Sequence, residues 1–161
     1  MKRAACLIIP EIFITNPKAW ETHFLPSAEW LQSILEGVVR YVTPQTSQRV
    51  TFIFTSNHRM QGYNARYRKK NKPTNVLSFP LHVPATEASL CLVGEVFLAF
   101  ETIVKEARSK KRSFEHHLVH LIVHGLLHLY DFEHDTEEGA RKMEACEVHI
   151  LKVLHIANPY E

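Results

Sequence analysis

Between Ser113 and Tyr130 the chain runs through a nearly continuous apolar stretch, Leu118, Leu121, Ile122, Val123, Leu126, Leu127 and Leu129, with His124 and His128 set into it four residues apart. A helix of that composition has to be buried, and an imidazole buried with it is costly unless its polar atoms are bonded. Residues four apart on a helix stand one above the other, about 6 Å along the axis, so both rings can aim at one point. His134 follows after Leu129, Tyr130, Asp131, Phe132 and Glu133, enough chain to end the helix and bring a third imidazole back over the first two. Three imidazoles with a fourth position open describe a catalytic zinc site better than a structural one, which usually closes with four protein ligands. The competing explanation is coincidence, because the chain has eleven histidines. The third histidine and the apolar setting argue against it. The prediction is therefore one zinc ion per chain on His124, His128 and His134, at nitrogen distances of about 2.0–2.2 Å and with no cysteine ligand.

The rest of the composition bounds the class. A chain of 161 residues with 45% hydrophobic and 22% charged residues suits a single globular domain over 1–161. No apolar run is long enough to span a bilayer. Met1, Lys2, Arg3 and the stretch Ala4 to Ile9 are interrupted by Pro10 and Glu11 before a signal segment develops, and read as a first strand. Cys6, Cys91 and Cys146 are odd in number, widely spaced and in apolar contexts, which predicts free buried thiols and a cytoplasmic location. The net charge of +2 makes no case for nucleic acid, but its distribution is uneven. Arg66, Arg68, Lys69, Lys70 and Lys72 form one basic run, and Lys105, Arg108, Lys110, Lys111 and Arg112 another. Asp131, Glu133, Asp135, Glu137 and Glu138 make the segment after the histidine helix acidic. Such polarity can steer an anionic ligand, although any one basic run taken alone reads more readily as a solvated loop or helix end.

Strands are predicted at Cys6–Ile9, Val50–Thr55, Val76–Phe79 closed by Pro80, and Leu92–Leu98, with Gly94 marking a bulge or a close approach. Helices are predicted at Ser27–Val42, Asn57–Tyr67, Phe100–Lys110, Ser113–Tyr130 and Thr136–His155, with Ser113 and Thr136 as N-caps. Strands precede helices, so the fold class is α+β: a four-stranded, mostly parallel sheet packed with about five helices.

Two stretches then carry a family resemblance. His124-Gly125-Leu126-Leu127-His128-Leu129-Tyr130-Asp131-Phe132-Glu133-His134 resembles the HGxLHLxGYDH signature of the YbeY family of bacterial metal-dependent endoribonucleases, also called rRNA maturation factors. Asn64 through Pro80, NARYRKKNKPTNVLSFP, is similar to that family's NxxYRxKxxPT(D/N)VLSFP segment. Val93-Gly94-Glu95-Val96 and the ending Asn158-Pro159-Tyr160 also match. The resemblance implies zinc on the three histidines. It further implies cleavage of single-stranded RNA in ribosomal RNA maturation, at the 16S rRNA 3′ end, and in ribosome quality control, with the ribosome or small-subunit proteins as partners. It carries Arg68 over as the arginine of the cleft. The departures fall together: Asp131 stands at the family's glycine, Phe132 at its tyrosine and Glu133 at its aspartate. The glycine position implies a left-handed residue at the helix end, and a positive φ is predicted for Asp131.

In this reading Arg68 meets charge developing on phosphoryl oxygens, Lys69, Lys70 and Lys72 hold the RNA backbone, and Tyr67 or Tyr63 can stack on a base. Two rivals remain. A zinc metalloprotease shares HxxxH, but its glutamate general base would stand at position 125, which is glycine; Glu133 or Asp135 would have to substitute. The other is a non-enzymatic, zinc-stabilised, ribosome-associated module.

Overall fold

The computed structural model describes residues 5–161, so the charged start Met1, Lys2 and Arg3 lies outside the described residues. The elements run β1 (Ile8–Ile14), α1 (Pro17–Glu21), α2 (Ala28–Val42), β2 (Gln48–Thr55), α3 (Asn57–Arg68), β3 (Val76–Val83), β4 (Cys91–Ala99), α4 (Phe100–Ser109), α5 (Phe114–Leu129) and α6 (Glu137–Val153). The sheet order is β1-β2-β4-β3, with β1, β2 and β4 parallel and the edge strand β3 antiparallel to β4. The predicted four-stranded, mostly parallel sheet is therefore present, with six helices instead of about five. The additional one is α1, a five-residue turn with Pro17 at its start. A turn that short shows no apolar period to read.

Alternation along the strands separates two cores. Val50, Phe52 and Phe54 of β2, with Val96 and Leu98 of β4, pack into the large cluster that also takes in residues of α2, α5 and α6. Ile53, Phe97 and Ala99 point the other way and meet Met60 of α3 and Leu77 of β3, with Tyr63 and Phe79 packed against them. Both faces are covered, as parallel strands require. The centre of the larger core is α5, whose Leu118, Ile122, Val123, Leu126 and Leu127 are fully buried, each contributing about 1.5–3 kcal/mol by its removal from water.

Three expectations need correction. The first strand is Ile8–Ile14, beginning later and running through Pro10, because β1 is a sheet edge where a missing N–H is tolerated. The same reason carries β3 past Pro80 to Val83, with an irregularity between Pro80 and Val83. Only Cys146 of the three free cysteines is buried; Cys6 and Cys91 are half-buried. Gly94 meets both expectations: β2 and β4 shift register there, and a Cβ would stand 2.4 Å from the Phe79 carbonyl oxygen and 2.7 Å from Leu129. No helix among the described residues is long and apolar enough to cross a membrane.

Candidate metal centre

The C-terminal end of α5 is built by its caps. Ser113 accepts from the His116 N–H at the start. At the other end the Phe132 N–H bonds the Leu127 carbonyl at 3.1 Å and the Asp131 N–H bonds the His128 carbonyl at 3.3 Å, the two bonds of a Schellman close. Asp131 takes the left-handed conformation this demands, φ 66°. The helix stops at Leu129, and the reversed chain returns His134 to the helix end.

The three histidines are thus brought together. His124 and His128 are half-buried, His134 is exposed, and one ligand nitrogen from each lies within 4.8 Å of the others. The Nε2 atoms of His124 and His128 stand 3.1 Å apart, near the ~3.3 Å that separates two nitrogens bound tetrahedrally at ~2.0–2.1 Å to one ion. This donor set fits a divalent ion with nitrogen preference, and no cysteine belongs to it. Burial, together with the neighbouring His124 and His134, lowers the His128 imidazole to about 4, which keeps it neutral and able to donate a lone pair at ordinary pH.

The cleft beside them has a volume of about 530 Å³. One wall is β3 and its approach, Thr74 to Pro80, with Arg68 at the end of α3; the other is His124, His128, Glu133, His134 and Asp135. Glu133 and Asp135, from the acidic segment, therefore share a cleft with Arg68 instead of marking a separate side of the molecule. Lys70 and Lys72 line an adjoining hollow of about 310 Å³ with Arg68, Thr74 and Asn75. Lys69 lines neither; it caps α3 with φ 56°. Tyr63 is packed on Phe97 at 4.7 Å and belongs to the core, whereas Tyr67 is exposed beside Phe79 at 5.0 Å.

Gly125 explains itself here. A Cβ at this position would meet Val96 at 2.8 Å and Ser78 Oγ at 3.0 Å, and Ser78 donates to the Gly125 carbonyl at 2.8 Å. The residue after the first histidine thus packs against the sheet, where a protease glutamate has no room.

What the sequence reading missed is a buried carboxylate behind the histidines. Glu147 of α6 is fully buried; Oε1 accepts from Nδ1 of His124, while Oε2 accepts from Nε2 of His120 at 3.0 Å and from the Tyr160 hydroxyl. Burial alone would raise this carboxyl, but the bonds from His120, His124 and Tyr160 outweigh it and hold it at about 2. Burial and the bond to Glu147 raise the Tyr160 phenol above its ordinary range. A parallel pair joins buried His117 to Glu106 at 2.7 Å. The sequence signal for Glu147 was a lone charge inside the apolar stripe Met143, Cys146, Ile150 and Leu151.

The profile of the family described as Endoribonuclease YbeY matches residues 15–155. The chain belongs to the YbeY family. Endoribonuclease YbeY of Bartonella bacilliformis is 42% identical over 80% of this chain and 82% of its own. That of Chelativorans sp. is 40% identical over 84% and 86%, and that of Colwellia psychrerythraea 37% over 84% and 88%. A Thermotoga maritima protein solved in solution shares the fold, with TM-score 0.50 and 23% identity over 90% of this chain and 92% of that one. The family span takes in the histidine helix, its Schellman turn and the Arg68 segment together.

Proposed function

We propose that the chain is a zinc-dependent endoribonuclease specific for single strands, acting in ribosomal RNA maturation at the 16S rRNA 3′ end and in ribosome quality control. In this reading it works in the cytoplasm as a single domain over 1–161, in association with the ribosome. The observation that carries the reading is the convergence of His124, His128 and His134 at the floor of a cleft walled on the other side by Arg68, in a chain of the YbeY family.

His124, His128 and His134 would hold one zinc ion. When bound there, the ion lowers the pKa of water towards ~7 and polarises a phosphoryl oxygen. The protein's own groups supply the rest. The Arg68 guanidinium presents a planar fork of donors to the non-bridging oxygens, where negative charge gathers as the phosphodiester breaks. Glu133 and Asp135 are carboxylates of the cleft wall available to accept a proton. Lys70 and Lys72 continue the positive surface away from the ion, with Lys69 at the turn between them and Arg68, along the path of an RNA backbone. Tyr67 offers a face for a base to stack on.

The test is incubation of metal-loaded and chelator-stripped protein with end-labelled single-stranded and double-stranded RNA. Cleavage confined to the single strand and to the loaded protein is the expected result. A zinc-stabilised, non-enzymatic module would instead raise its melting temperature with metal and leave both RNAs intact.

A further inference from the structure

Glu147 and Tyr160 lie outside the cleft, yet they are tied to a residue at its centre. His120 and His124 are one helical turn apart on α5, and the Glu147 carboxylate spans them from α6, one oxygen to each ring. The bond from Nδ1 of His124 makes that nitrogen the proton carrier and leaves the Nε2 lone pair pointing at His128 Nε2. A histidine so held presents one nitrogen, in one orientation, to an ion. Tyr160, one residue from the end of the chain, donates its hydroxyl to Glu147 and sets its ring edge-on to His120, with centroids 5.7 Å apart. Its backbone is held in turn, because the Tyr160 N–H bonds Asn158 Oδ1 at 2.9 Å and Arg112 donates to the Asn158 carbonyl at 3.2 Å.

Energetics points the same way. A fully buried carboxylate is costly unless its lone pairs are met and positive charge lies near. Three donors meet the lone pairs, and a cation on the far side of the His124 ring would supply charge through the imidazole. Ion and carboxylate then stabilise each other, with the ring as the link.

We propose that Glu147 is the positioning residue of the metal site and that the C-terminal segment, through Tyr160, sets the site's affinity for its ion. This rests on the three-histidine metal reading. The segment Asn158–Tyr160 is then a strap on the site.

The test measures zinc affinity of the full chain by competition with a chromogenic chelator, together with the visible absorption of the cobalt-loaded protein and the melting of each metal-free variant. Removing an outer partner of a ligating histidine typically costs about 10–100-fold in metal affinity. Glu147→Gln is expected to lose affinity in that range and to alter the cobalt spectrum. Tyr160→Phe, which deletes one hydroxyl, is expected to lose about 3–10-fold, at or below the low end of the same range. Ile150→Val, a buried change on the same helix away from these bonds, should melt lower and bind zinc like wild type. Zinc affinity of Glu147→Gln within about twofold of wild type, with an unchanged cobalt spectrum, overturns the proposal on the scale of that effect. Should Glu147→Gln fail to fold, Tyr160→Phe decides alone: weaker zinc supports the strap, and wild-type affinity overturns it. Wild type that binds no zinc removes the histidine reading itself and the proposal with it, a failure distinct from the others.

Discussion

On one side of the cleft both ring nitrogens of His124 are engaged, and the helix that carries it is buried and capped; on the other, Arg68, Lys70 and Lys72 stand exposed around a left-handed turn. The first wall is assembled by folding, since α5 cannot be buried without placing His124 and His128, and the Schellman turn cannot close without returning His134. The second owes little to folding and, in the proposed function, acts through charge. Substitutions on the histidine wall should therefore move metal, stability and activity together, and those on the basic wall should move RNA alone.

The largest effect should come from His128→Ala, with zinc binding and RNA cleavage both lost; retention of cleavage by a zinc-free His128→Ala protein would break the distinction. Next comes Arg68→Ala. It should keep its zinc and its melting temperature, because an exposed arginine contributes little to stability. Its turnover should fall on the order of 10²-fold, the usual cost of removing one electrostatic partner from a transition state. Arg68→Lys should recover part of this, an ammonium lacking the bidentate fork. Loss of metal or fold on Arg68→Ala would make that wall structural as well.

Smaller effects sharpen the contrast. Replacing Lys70 and Lys72 together with alanine should weaken single-stranded RNA binding and flatten its salt dependence, by about 0.7 in the logarithmic slope for each phosphate that is no longer neutralised. An unchanged slope would remove both lysines from the RNA path. The histidine wall should instead respond to protons. His128 titrates near 4 in the folded, metal-free protein, against 6.5 for an unperturbed imidazole. Between those values the unfolded chain binds a proton that the folded one refuses, so stability falls as pH drops through that window and is unaffected above it. Urea midpoints of metal-free wild type and His128→Gln, measured from pH 7 to pH 5, should show the steeper decline in wild type. Parallel curves would contradict the assignment. The smallest effect is Asp131→Gly, expected to stabilise by less than the roughly 1–2 kcal/mol that a left-handed residue ordinarily costs, since aspartate tolerates it better than most, read as a slightly higher urea midpoint with unchanged zinc affinity.

How much of this was legible depended on the range over which each signal acts. The histidine helix, its Ser113 cap, the Thr136 cap of the next helix and the left-handed Asp131 are local, and all were readable from composition, spacing and the family's motif. Pro10 and Pro80 misled because proline is tolerated on an edge strand, and no local signal says that β1 and β3 are edges. Tyr63 and Tyr67 look alike in sequence; only the packing of Phe97 and Phe79 separates a core ring from an exposed one. The charge runs were visible, but not that Glu133 and Asp135 would face the same cleft as Arg68. What Glu147 binds was hidden for the same reason, since it meets His124 from 23 residues away along the chain, and Tyr160 in turn meets Glu147.

The central claim is that one ion on three histidines converts this fold into an RNA-cleaving enzyme. Zinc titrated into chelator-stripped protein, with cleavage of a labelled single-stranded RNA followed at each addition, tests it most directly. The expected result is no cleavage at the start, a rise that breaks at one equivalent per chain, and no rise in His128→Ala. Full cleavage by the stripped protein, or a rise that persists in His128→Ala, would contradict it.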